Sequence, residues 1–259
     1  MPAFNGIHYI DTGATDTKDP VILMLHGFFM DHRLFEHQID ALKATHRCIA
    51  VDLHGFGQTQ KPTADYSLYD EVNALFALMD HCGVEKFVVM GMSMGGYLAL
   101  RMALTAPSRI RGMVLISTQA GKDNPETVTA YQQLRDNWKI EAVRAAIIEN
   151  LLPVIIGPSE KDVQTWRPIW NSYDPKAIFY PMNAMTSRDD IDISRLNQPA
   201  LVIHGADDHG IPLEAAKKMA DELVMSEMVV VPGGCHAVNM THPAPVNQAI
   251  LSFLDKYHL

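Results

Sequence analysis

Gly91-Met92-Ser93-Met94-Gly95 sets a serine between two glycines, where an apolar run from Lys86 to Met90 meets a helix-like run from Tyr97 to Thr105. A serine hydroxyl attacks a carbonyl carbon poorly unless it is held out of regular backbone and close to a base. A sharp strand-to-helix turn, the nucleophile elbow, supplies the first condition by straining the serine at its tip. Glycines at 91 and 95 are then needed, because side chains there would collide across so tight a turn. The flanks fit: Lys86-Phe87-Val88-Val89-Met90 reads as a short buried strand, and the apolar residues after Tyr97 recur at helical spacing until Pro107. Ser93 therefore lies at a helix N-terminus, where free N–H groups and the helix dipole favour a developing oxyanion. The chemistry implied is nucleophilic attack on an acyl group.

Such a turn needs a sheet to hold it. Strands are predicted at Val21 to Leu25, Arg47 to Val51, Lys86 to Met90, Gly112 to Ile116, Ala200 to His204 and Glu227 to Val231. Helices are predicted at Leu34 to Lys43, Leu68 to Cys82, Met94 to Thr105, Leu213 to Leu223 and Pro245 to Tyr257. This alternation gives βαβ units and an α/β fold with a mostly parallel sheet covered by helices on both faces. Ile7 to Asp11 reads as an antiparallel edge strand. Between Thr118 and Asn197 the β-rich runs give way to helical patterns, Val128 to Trp138 and Glu141 to Leu151 among them, with prolines at 153, 158, 168, 175 and 181. The expected division is a core of residues 1–118 and 198–259 with a helical cap inserted at 119–197.

Composition narrows the function. The 259 residues are 47% apolar, enough for one large α/β core with a small insertion. A formal charge of −9 without a Lys/Arg cluster argues against nucleic acid or an anionic membrane surface as partner, since either needs a concentrated basic patch. Cys48, Cys82 and Cys235 are an odd set without C-x-x-C spacing, so neither a disulfide framework nor a thiolate zinc site is expected. Met1 to Gly6 lacks a basic segment leading into an apolar one, and no apolar stretch is long enough to span a bilayer. A soluble, cytoplasmic protein is expected; oligomeric state is left open.

Four further segments join the elbow. They are His26-Gly27-Phe28-Phe29 after the first predicted core strand, Asp52 to Gly57 after the second, His204-Gly205-Ala206-Asp207-Asp208-His209-Gly210-Ile211-Pro212, and Gly233-Gly234-Cys235-His236. With them the chain resembles the α/β-hydrolase fold superfamily, in particular small cytoplasmic esterases and 3-oxoadipate enol-lactonases, over almost its whole length except the cap. The resemblance implies a nucleophile, acid and base in the chain order Ser93, Asp208, His236. Asp207 competes for the acid, but the spacing from Gly205 and to Pro212 selects Asp208. His242, before Pro243, is the nearest rival to His236 and reads better as a helix cap. Asp52 reads as a loop-fixing residue and His26 as a brace for its own loop.

The implied mechanism is attack by Ser93 Oγ while His236 accepts its proton and Asp208 holds the imidazole tautomer. An acyl-enzyme forms, and water activated by His236 releases it. The oxyanion would be met by the backbone N–H groups of Met94 and Phe28, each worth about 2.7–4 kcal/mol in such a site. No metal and no organic cofactor is required. Phe29, Met92, Trp138, Trp166 and Trp170 are the expected substrate-binding residues of an apolar, adaptable pocket, and Arg167 and Arg188 are the cations that could meet a substrate carboxylate. The expected partner is a small-molecule ester or lactone. A carboxylesterase is the first reading and a lactonase or C–C hydrolase the second; a triad-retaining receptor, or a perhydrolase or lyase on the same scaffold, remains open. An aspartate-nucleophile branch is not, because Ser93 occupies the elbow.

Overall fold

Apolar runs too short for helices pair into one sheet in the computed structural model, which describes residues 1–13 and 20–259. The strands are β1 (Ala3–Phe4), β2 (Ile7–Asp11), β3 (Val21–Leu25), β4 (Cys48–Val51), β5 (Phe87–Met92), β6 (Ile110–Ile116), β7 (Ala200–Gly205) and β8 (Ser226–Val231). Their spatial order is β1-β2-β4-β3-β5-β6-β7-β8. From β4 to β8 every neighbouring pair is parallel. Every residue of β4, β5 and β7 is buried, as expected of strands covered on both faces. Ile7–Asp11 does pair antiparallel with β4, yet it is not the edge, because β1 folds back and pairs outside it.

Helices follow the strands. A 3-10 turn (His32–Phe35), capped by the Asp31 carboxylate, leads into α1 (Glu36–Leu42). The helix α2 (Leu68–His81) begins with a reciprocal cap in which Ser67 Oγ accepts from the Asp70 N–H and Asp70 accepts from the Ser67 N–H. The next, α3 (Met94–Thr105), packs along β3, β5 and β6 and against α2. After the insertion come α8 (Leu213–Glu222), a short α9 (Val238–Thr241) and α10 (Pro243–Tyr257), the last packing along β7 and β8 and against α1.

Four helices fill the segment between β6 and β7: α4 (Pro125–Asn137), α5 (Glu141–Ile156), α6 (Glu160–Ser172) and α7 (Pro175–Thr186). Asn124, Ser159 and Asp174 cap α4, α6 and α7 with their side-chain oxygens. Pro175 opens α7, where its missing N–H costs nothing, whereas Pro153, Pro168 and Pro181 sit inside helices. Packing pairs α5 with α6 and α4 with α7. Among the described residues no helix is long and apolar enough to cross a membrane.

Candidate active site

Ser93 stands at the C-terminal end of β5 and caps α3 with φ 51° and ψ −115°, a backbone region that L-residues rarely occupy. Hydrogen bonds hold it there: its N–H donates to the Ile116 carbonyl at 2.9 Å, and its carbonyl accepts from the Gly96 N–H and Thr118 Oγ1, each at 2.8 Å. The turn is so close to β3 that a Cβ on Gly95 would lie 1.9 Å from the Leu25 carbonyl oxygen. Met94 opens the helix, so its N–H belongs to the first turn, which has no intrahelical acceptors.

The loop after β3 runs across this serine. A Cβ on Gly27 would lie 3.2 Å from the Ser93 Cβ, so the next residue, Phe28, begins beside the hydroxyl-bearing carbon. His26 is wholly buried, with Nδ1 2.7 Å from the Gly27 carbonyl and Nε2 accepting from the Leu53 N–H at 2.9 Å. Both ring nitrogens are used, and burial pushes its pKa down, so the neutral ring ties two loops together. Asp52 accepts from the His32 N–H and ring and from the Gln58 N–H, which fixes the loop after β4. Asp31, His32 and Asp52 bring ligand-type atoms within 4.8 Å of one another. Those atoms are engaged already: Arg33 grips Asp31, and His32 is bonded to Asp52.

His236 Nδ1 lies 2.8 Å and 3.0 Å from the two carboxylate oxygens of Asp208. Asp208 Oδ1 also accepts from the N–H groups of Gly210 (2.7 Å) and Ile211 (3.0 Å). Burial works to raise the Asp208 pKa, but the bond from His236, its charge and the Ile211 N–H outweigh it and hold the carboxyl below its ordinary range. Asp207 is exposed, and its backbone N–H bonds to the Gly234 carbonyl. His242 stands at the N-terminal boundary of α10 directly before Pro243, but its ring makes no cap hydrogen bond and its Nδ1 lies 3.0 Å from Thr241 Oγ1 instead.

Ser93 and His236 open on one cavity of about 310 Å³. Phe28, Phe29 and Met92 line it, together with Leu134, Leu151 and Met182 from the insertion. Trp138, Trp166 and Trp170 do not, which corrects their expected placement at the pocket. Trp138 and Trp170 are fully buried and stack on Phe29, and Trp166 is nearly buried with the Arg33 guanidinium over its ring. Arg167 pairs with Glu149 at the surface, and Arg188 is buried against Asp123 and the Tyr97 ring. Neither lines the cavity.

Sequence reasoning missed His204. It lies fully buried one residue before β7 ends at Gly205, with Nε2 3.0 Å from the Ile211 carbonyl and 3.4 Å from Asp208 Oδ2, while Nδ1 has no partner among the described residues. Its place at the head of the Asp207-Asp208 segment was the available signal. Burial pushes its pKa below the ordinary 6.5. Because the unfolded chain takes up this proton first, the stability His204 contributes is complete above about pH 6.5 and drains away as pH falls through the lower folded value. Denaturant titrations between pH 7.5 and 5 should show wild type losing stability faster than His204→Gln, with about tenfold in the folding constant per pH unit as the limit that one proton sets. Parallel pH dependences would refute this.

A mostly parallel sheet of this order, with a strained serine at a strand-to-helix turn that shares a cavity with the imidazole of an Asp–His pair, defines a nucleophile-elbow α/β architecture. A family model for the alpha/beta hydrolase fold matches residues 20–243, and the chain belongs to that family. It is similar to a Synechocystis sp. protein described as a non-heme chloroperoxidase, 29% identical over 278 aligned residues that span 96% of this chain and 95% of the relative. Its structure superposes on an esterase from Thermogutta terrifontis with TM-score 0.89 and 28% identity, covering 98% of this chain and 94% of the esterase. The enol-lactonase from Burkholderia xenovorans shares the fold at TM-score 0.87 and 20% identity, covering 96% of both chains.

Proposed function

We propose that this protein is a carboxylic ester hydrolase acting through an acyl-enzyme on Ser93. The observation that carries the reading is the shared cavity: a serine strained out of regular backbone and an imidazole held by a buried carboxylate open on the same apolar space. Ser93 Oγ adds to the ester carbonyl as its proton passes to His236 Nε2, the nitrogen that Asp208 leaves free. The oxyanion is met by the N–H groups of Phe28 and Met94. Collapse expels the alcohol, which takes the proton from His236, and a water activated by the same imidazole then frees the acid.

Pocket chemistry favours an uncharged substrate. The cavity lies at the small end of the range for small-molecule sites. Its walls are mainly methionine, leucine, valine, isoleucine and aromatic side chains, and no lysine, arginine, aspartate or glutamate is among the described residues that line it. Arg188, the best-placed cation, is already neutralised by Asp123, so a substrate carboxylate finds no counter-ion. This reading sets esters of small to medium apolar acids above the enol-lactone alternative. The four-helix insertion serves as the cap that sets acyl size, through Leu134, Leu151 and Met182. Similarity to the Thermogutta terrifontis esterase supports the same reaction class.

The test is a panel of p-nitrophenyl esters with acyl chains of two to ten carbons, set against lactones and against half-esters of dicarboxylic acids of matched length. Neutral short to medium esters should turn over fastest, with the anionic series at least about tenfold poorer in kcat/KM, and Met182→Ala should shift the optimum toward longer acyl chains. Preference for the anionic substrates, or a lactone-only activity, would overturn the assignment.

A further inference from the structure

Phe29 is the unusual residue of the loop beside Ser93. Its φ is 65°, the left-handed region that bulky side chains avoid, and the Met30 N–H closes the turn onto the Gly27 carbonyl at 3.1 Å. A positive φ at the third position of such a turn is ordinarily supplied by glycine. The molecule must therefore hold a phenylalanine in a conformation it would leave if free.

The insertion does so. The Phe29 ring stacks between Trp138, centroids 4.8 Å apart at 29°, and Trp170, 4.5 Å apart at 25°. The Tyr173 hydroxyl lies 3.2 Å from the Phe29 carbonyl and 3.4 Å from that of Met30, aimed at the backbone of the turn. Trp138 Nε1 donates in turn to the Tyr173 carbonyl at 3.1 Å, so the three aromatic residues form one connected unit. All three are buried, and none lines the cavity. The Trp170 indole N–H has no hydrogen-bond partner among the described residues, so ring contact is what this side chain contributes. None of the three is placed to touch a molecule in that cavity.

We propose that Trp138, Trp170 and Tyr173 are positioning residues that clamp Phe29 and thereby aim the Phe28 N–H at the oxyanion. The inference rests on Ser93 as the acyl-transfer nucleophile. If Phe29 relaxed to negative φ, the peptide planes on its N-terminal side would rotate and the Phe28 donor would swing away from the reacting carbonyl. The insertion then contributes to the rate as well as to selectivity. Transition-state stabilisation depends on its docking onto the loop, while ground-state binding to the apolar walls does not.

The experiment compares wild type with Trp170→Leu, Trp170→Phe and Tyr173→Phe, using a preferred ester and two inhibitors of matched shape. One is an alkyl trifluoromethyl ketone, whose carbonyl is attacked by Ser93 Oγ to give an oxyanion in the hole; the other is the corresponding secondary alcohol, which cannot form one. Trp170→Leu should lower kcat by about 10- to 100-fold, a range set by loss of part of one oxyanion donor, with KM and alcohol affinity within about twofold. Trifluoromethyl ketone affinity should fall in step with kcat. Trp170→Phe keeps the ring and should restore most of the loss, and Tyr173→Phe should show a several-fold effect of the same pattern. Should Trp170→Leu not fold, the Tyr173→Phe pair of affinities carries the test. The clamp is wrong if ketone and alcohol affinities change together, or if melting temperature drops while ketone affinity and kcat hold. If wild type itself forms no ketone adduct at Ser93 by mass spectrometry, the acyl-enzyme reading fails first and the clamp has nothing to position.

Discussion

Ester turnover by Ser93→Ala is expected to fall by roughly 10⁶-fold, the scale of removing the serine from a protease triad. Nothing else in the cavity replaces it: the remaining lining residues are apolar side chains, glycine, hydroxyl-bearing Tyr97, Thr127 and Tyr131, and imidazoles. A fluorophosphonate probe should add one adduct to wild type, on the tryptic peptide containing Ser93, and none there to the variant. Alanine keeps the Cβ and with it the backbone strain, so the fold and melting temperature should hold. Ser93→Gly should be equally inactive but more stable. Glycine occupies φ 51°, ψ −115° without the Cβ clash, which recovers about 1–3 kcal/mol of strain less the ~0.5–1 kcal/mol that glycine loses on folding. A gain of about 1 kcal/mol raises the melting temperature of a chain this size by roughly 2–4 °C. Undiminished turnover in Ser93→Ala, or a phosphonate adduct at another serine, would falsify the mechanism.

Asp208→Asn should cost roughly 10⁴-fold in kcat, whereas Asp207→Asn should stay within about twofold of wild type. The structure supplies a reason beyond spacing. Oδ1 of Asp208 accepts from two backbone N–H groups, those of Gly210 and Ile211. An asparagine must turn its carbonyl toward them and its NH₂ toward His236 Nδ1. That nitrogen then becomes the acceptor, the proton moves to Nε2, and the nitrogen facing the serine can no longer take up a proton. Asp207 is solvent-exposed and meets this part of the molecule through its backbone, which an amide side chain leaves in place. Both variants should keep the wild-type circular dichroism spectrum. Greater damage from Asp207→Asn with that spectrum unaltered would move the acid by one residue.

Burial shapes the pH response as well. The depressed Asp208 pKa means that the stability this carboxylate contributes is present above its unfolded value and lost as pH falls through the folded one, a loss that sets in at lower pH than that of His204 because the unfolded carboxyl titrates below the unfolded imidazole. Acid sensitivity that sets in below about pH 6.5 therefore reports the buried imidazoles of His26 and His204, which is why the comparison with His204→Gln is needed to isolate one of them.

Much of the sheet was legible because its signals are local. A continuous apolar run such as Phe87 to Met90 has one good solution, a strand covered on both faces, and every core strand lies within a few residues of its predicted limits. Boundaries moved where hydrogen bonding went further than composition. The strand β5 continues through Gly91 and Met92 because the ladder with β6 extends to Ile116. The N-terminal edge was misplaced because Ala3–Phe4 is too short to carry a pattern and exists only through its pairing with β2.

What the sequence determined by itself follows from steric rules that act over a few residues. The glycines at 91 and 95 admit the sharp turn at Ser93: a Cβ on Gly91 would strike the Gly95 and Gly96 backbone, and one on Gly95 would strike the Leu25 carbonyl of β3. Tertiary structure alone decided where the insertion's side chains point. An amphipathic helix announces a buried face but not what that face meets, so Trp138 and Trp170 read equally well as pocket wall or as packing. Their rings went to Phe29 because a left-handed phenylalanine beside the serine needs support from outside its own loop, and helices brought from more than a hundred residues away supply it. The burial of His204 is likewise a product of β7 lying between β6 and β8, whereas the two N–H groups on Asp208 come from residues two and three positions further along the chain and belong to the local loop.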